Sequence, residues 1–134
     1  MRTDSPTEKE IRKVIFDPDI FNRITDDNSP KDFDLPKVSY IGIYETEIIA
    51  LFIYWPFKDM YKAHFQVLKE HRMKAREIAK MVLDITPRPL FTEIPTLYRH
   101  YMNFIKKFGF KQITERKDAY LKNGINYDLI GFIL

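Results

Sequence analysis

The sequence predicts an α/β layer fold with a mixed, mostly antiparallel central sheet flanked by helices. Three observations carry that prediction. Residues 38–44, 48–54 and 61–68 are β-branched and aromatic runs; residues 74–84 and 98–108 hold apolar side chains at helical spacing; and Asn123-Gly124 sits between two further strand-like runs.

Taken in order, residues 8–25 read as two short helices, with Ile11, Val14, Ile15, Ile20, Phe21 and Ile24 at helical spacing. Asp17 is placed to cap the second, and Pro18 fits its first helical position. Residues 25–36 carry Ser29-Pro30 and four aspartates, a turn composition that predicts an exposed loop. Glu45-Thr46-Glu47 separates the first two strands as a hairpin does, and the third should extend the same sheet. Ile78, Met81, Val82 and Ile85 form one apolar stripe, which Thr86-Pro87 ends. Residues 90–94, bounded by Pro89 and Pro95, are too few for a helix and suit a buried strand. Tyr98, Tyr101, Met102, Ile105 and Phe108 mark the next helix, with Gly109 as its C-terminal cap. Strands are expected at 110–115, 119–121 and 127–134, the last two joined at Asn123-Gly124.

At 134 residues the chain is expected to form one domain, with helices and loop in 1–36 and the sheet with two amphipathic helices in 37–134. The absence of cysteine excludes disulfides, thiolate metal ligands and a thiol nucleophile, and fits a cytoplasmic setting. No apolar run approaches the length of a membrane span, so no membrane partner is expected. The net charge is +3, and its placement matters more than its size. Asp26, Asp27, Asp32 and Asp34 cluster early, whereas Lys69, Arg72, Lys74, Arg76 and Lys80 crowd the middle. The middle run spans a strand, a basic turn and a helix start, where free N–H groups and the helix dipole favour a phosphate. Glu70 and Glu77 offset part of that charge.

The strand order, His71-Arg72 at the strand-to-helix junction, Ile94-Pro95 followed by Arg99, Lys107-Phe108-Gly109-Phe110, and Lys122-Asn123-Gly124 with Asp128 together resemble the GCN5-related N-acetyltransferases. The similarity covers residues 38–134 and is strongest to short phage-encoded members. It implies acetyl-CoA held between the family's fourth and fifth strands, here 61–68 and 90–94, and direct attack of an amine on the thioester. Backbone N–H groups near Val67 and Lys69 would polarise the carbonyl. The pyrophosphate would lie on the N–H groups of Lys74, Ala75, Arg76 and Glu77. The family's pyrophosphate signature maps onto Arg72, Ala75 and Glu77; arginine is kept, but alanine and glutamate replace the small residues expected. The usual thiolate-protonating tyrosine maps onto Ile105, and the family's upstream asparagine onto Tyr98. Tyr98, His64 and Glu93 are therefore the candidates for acid and base.

Two readings follow. One is an acetyl-CoA-dependent N-acyltransferase whose small-molecule or protein amine enters over the N-terminal helices and the acidic loop. The other is a non-catalytic protein on the same fold, with a phage or host protein as partner, in the host cytoplasm or a virion. Edge strands in such sheets also pair as homodimers. His64, His71 and His100 lack metal-ligand spacing, so no metal is expected. Nucleic acid is disfavoured, because the aromatics interleaved with cations from Tyr98 to Lys111 are needed for the core.

Overall fold

A computed structural model describes all residues, 1–134. Seven strands form one sheet in the order β1-β2-β3-β4-β5-β7-β6. They are β1 (Arg2–Asp4), β2 (Ser39–Tyr44), β3 (Ile48–Phe57), β4 (Met60–Val67), β5 (Leu90–Pro95), β6 (Lys111–Lys122) and β7 (Ile125–Ile133). Four helices accompany them: α1 (Glu8–Ile15), α2 (Pro18–Ile24), α3 (Ala75–Leu83) and α4 (Arg99–Lys106). Pairing is antiparallel for β1 with β2, β2 with β3, β5 with β7 and β6 with β7, and parallel for β4 with β5. This is the mixed, mostly antiparallel sheet that the sequence predicts. The chain groups into two compact units, one of Met1–Ile24, Lys31–Trp55 and Ala63–Thr86, the other of Thr25–Pro30, Pro56–Lys62 and Pro87–Leu134.

In the first unit Thr7 opens α1 with a reciprocal capping box: its hydroxyl accepts from the Glu10 N–H at 3.2 Å, and Glu10 accepts from the Thr7 N–H at 2.9 Å. Thr7→Ala should cost about 1 kcal/mol, read by denaturant unfolding. Asp17 accepts from the N–H groups of Asp19 and Ile20, the cap expected before Pro18. Ile11, Val14, Ile15 and Ile20 pack with Tyr44, Ile48, Leu51, Ile53 and Leu68 into one core. Tyr44 is buried there and donates to Glu10 at 2.9 Å; burial, with that carboxylate, pushes its phenol up to about 12. The predicted loop is less exposed than its composition suggests. Phe33 and Leu35 pack against this core, and Phe33 lies 5.1 Å from Phe16 and 6.1 Å from Phe21, centroid to centroid.

Helix α3 buries Ile78, Ala79 and Val82. The expected stripe stops short of Ile85, which is 55% exposed, because the helix ends at Leu83 ahead of Thr86-Pro87. In addition, β1 is a strand where none was predicted; its three residues pair Thr3 with Ile43 on β2.

In the second unit Ile94, Ile130 and Phe132 form a core closed by Tyr98, Tyr101, Met102, Ile105 and Phe110. The hairpin turns at Asn123 and Gly124, whose φ values of 51° and 76° are the left-handed pair that a two-residue turn demands. Strand β6 runs on from Lys111 to Lys122 rather than breaking near residue 115; register shifts between Arg116 and Tyr120, where Asp118 has φ 51°, absorb the irregularity. Asp27, expected to be merely solvated, accepts the N–H groups of Asn123 and Gly124, both at 2.9 Å, and these bonds hold its carboxyl below the ordinary range. Lys122 and Tyr120 both donate to the Thr25 carbonyl at 2.8 Å. No helix of the chain is long and apolar enough to cross a membrane.

Candidate active site

The candidate phosphate turn lies wholly in the first unit. Strand β4 ends at Val67, and a 3₁₀ turn, Lys69–Lys74, leads into α3. The Leu68 N–H donates to the Ile49 carbonyl on β3 at 3.0 Å. Val67 is the last residue of β4, so its N–H faces away from Ile49, whereas Lys69 already begins the 3₁₀ turn.

At the start of α3 the flanking residue is Lys74, which has no acceptor, and no side chain caps the helix. The helix instead continues directly from the 3₁₀ turn, and the Ala75 N–H donates to the Arg72 carbonyl. Arg76 and Glu77 are exposed, whereas Ala75 is half-buried. Two other cations of the run are already engaged: Arg72 pairs with Asp19 of α2, and Lys74 with Glu45 of the β2–β3 turn. These partners lie 53 and 29 residues away, so no sequence pattern marks them. Arg72 still has a donor to spare, since its Nε is buried without a hydrogen-bond partner. A buried donor left orphaned costs about 1–3 kcal/mol, which an anion at the turn would recover. An orphaned guanidinium nitrogen and exposed Arg76 fit a pyrophosphate; Glu77 is the one residue of opposing charge in the first turn of α3.

His64 stands on β4 in the same unit, half-buried, its ring 5.2 Å from that of Trp55 and tilted by 42°. The other two candidates belong to the second unit. Glu93, on β5, has a side chain only 9% exposed. It accepts from Lys62 Nζ at 2.9 Å and from Arg116 Nε and Nη2 at 2.7 and 2.9 Å. Burial pushes this carboxyl up, but the hydrogen bonds from Arg116 and Lys62 outweigh it and leave the group below its ordinary value. A carboxylate so occupied is a poor proton acceptor, and its geometry is that of a structural ion cluster. Tyr98 stands at the start of α4, packed on the Ile94 core with its ring 5.6 Å from Tyr101 and 6.5 Å from Tyr120. Burial, then hydrogen bonding with Tyr98, pushes the Tyr120 phenol up. Ile105 is core, as its place on the apolar stripe predicts.

No protein-family model matches the sequence, and no curated protein matches it. Solved structures do. The chain is similar to the ribosomal-protein-S18-alanine N-acetyltransferase of Escherichia coli, with a TM-score of 0.72 at 13% identity over 99% of this chain and 92% of that one. It is similar to smu.2055 of Streptococcus mutans UA159, with a TM-score of 0.68 at 13% identity over 100% of this chain and 98% of that one. It is also similar to the ribosomal-protein-alanine N-acetyltransferase of Brucella melitensis, with a TM-score of 0.56 at 14% identity over 71% of this chain and 67% of that one. Strand order, helix placement and these likenesses agree that the chain has the fold of the GCN5-related N-acetyltransferases.

Proposed function

We propose that the protein is an acetyl-CoA-dependent N-acyltransferase acting on an amine. The observation that carries this reading is the Val67–Glu77 segment, which gathers Lys69, Arg72, Lys74 and Arg76 at a strand-to-helix turn where the Arg72 Nε has no hydrogen-bond partner. Acetyl-CoA, when bound, supplies an activated acetyl thioester. In this reading the N–H groups of Val67 and Lys69 donate to an acyl oxygen as charge develops on it, preorganised because the strand end fixes them. The first turn of α3, with Arg72 and Arg76, takes the pyrophosphate, and Lys69 and Lys74 add to the local positive potential. His64, in the same unit as the turn, accepts the proton of the attacking amine; Glu93 serves the fold instead.

Calorimetric and thermal-shift titration with acetyl-CoA tests the reading. Binding is expected, with stabilisation of about 2.7 kcal/mol at a hundredfold excess over Kd. Arg76→Glu, which leaves the Arg72–Asp19 pair intact, should weaken binding about tenfold or more without lowering the stability of the free protein. No heat and no shift at millimolar acetyl-CoA would overturn the reading. Undiminished affinity in the variant would remove the phosphate turn from it.

A further inference from the structure

The four helices use charge differently. Helices α1, α2 and α3 each carry an acid in the first turn, Glu8 and Glu10, Asp19, and Glu77, and mix both signs on their polar faces. Helix α4 has no acid in its first turn, and none occurs from Ile94 to Thr114. At 100° per residue, Arg99, His100, Asn103, Lys106 and Lys107 fall on one arc of about 120°. All five are exposed, as is Lys111 just beyond. No ion pair of the chain involves Arg99, Lys106, Lys107 or Lys111, although the Lys106 ammonium lies 5.9 Å from the Phe132 ring centroid.

The helix dipole accounts for Lys106 and Lys107 at the C-terminal end. It does not account for Arg99 and His100, which stand at the N-terminal end where the dipole repels cations. A polar face of one sign, maintained against the dipole, gains nothing inside the fold.

We infer that the outer face of α4, with Lys111, binds the phosphate backbone of nucleic acid. The apolar half of the helix decides among anionic partners. Tyr98, Tyr101, Met102 and Ile105 pack on the Ile94 core, so the exposed arc has no apolar centre. A protein interface gathers its energy around buried aromatic or aliphatic anchors, and a membrane surface takes up an apolar face. A phosphate backbone requires neither. For the same reason bases find no stacking platform here, and binding is independent of sequence and steep in salt.

The test is fluorescence anisotropy of the full chain with labelled 20-nucleotide single-stranded and duplex oligonucleotides at several salt concentrations. Four cations on a single strand give a log–log salt slope of about −2.8, or a loss of affinity of roughly fiftyfold between 50 and 200 mM salt. Arg99→Gln with Lys107→Gln should bring the slope to about −1.4 while the thermal unfolding midpoint stays at the native value. If that pair disturbs folding, Lys111→Gln alone should lower the slope by about 0.7. Absence of binding at 50 mM salt, an unchanged slope in the variants, or tighter binding to polyglutamate or to anionic lipid vesicles overturns the inference. The acyltransfer reading is untouched by any of these outcomes, since acetyl-CoA titration reads a different segment.

Discussion

Gly131→Ala is expected to destabilise the protein by about 2–3 kcal/mol, the largest effect of any single added methyl group. A Cβ at this position on β7 would overlap the Thr114 hydroxyl and lie 2.7 Å from Phe91 Cε1 and 2.8 Å from Phe91 Cζ. Thr114 faces Gly131 in the register and can turn about χ1. Phe91 has less freedom, being 5% exposed and stacked on Phe57 at 5.7 Å between centroids. Relief must therefore come from the sheet itself, which a close-packed interior resists. Equilibrium unfolding of the single variant and of Gly131→Ala with Thr114→Ala forms a double-mutant cycle. Part of the loss should return in the pair, because one of the two overlaps is gone. A single variant as stable as the native protein would contradict the packing described.

Glu93→Gln should cost about 2 kcal/mol, for the opposite reason: a cluster loses its charge rather than its space. Lys62 is 19% exposed and is left with no full negative charge beside it; Arg116, at 57%, keeps its water, which holds the cost below that of a fully buried pair. The variant also has a pH signature. The folded carboxyl lies below its ordinary value of 4.5, so its contribution is complete above that value and disappears as pH falls through the lower folded one. The stability gap between native and variant protein should accordingly close in acid. A gap that persists unchanged once acid has protonated the carboxyl would mean its charge is not what matters.

What the sequence reveals divides along physical lines. Strands, helices and the Asn123-Gly124 turn are legible because each rests on local periodicity or on a backbone conformation that one residue type favours. Strand β1 has no such signal, as Arg2, Thr3 and Asp4 gain their conformation only from pairing with β2. The basic turn is legible as charge, but its pairing with Asp19 and Glu45 is set by tertiary approach. Glu93 illustrates the same limit. Its spacing marks a carboxylate on a strand, while the cations that deprive it of basicity come from β4 and β6. Lys122, the last residue of β6, is only 8% exposed because the distant Thr25 carbonyl accepts from its ammonium, which no local pattern marks.

The grip of Asp27 on the Asn123 and Gly124 amides joins groups 96 and 97 residues apart. The segment Thr25–Pro30 of the second unit is thus made well before the hairpin that holds it. Closing so long a loop costs little more entropy than closing one of half the length, but it delays the contact until every residue from 27 to 124 has been made. Residues 25–30 therefore gain the two amides that hold Asp27 only once the Asn123-Gly124 turn exists, although they precede it by almost a hundred residues.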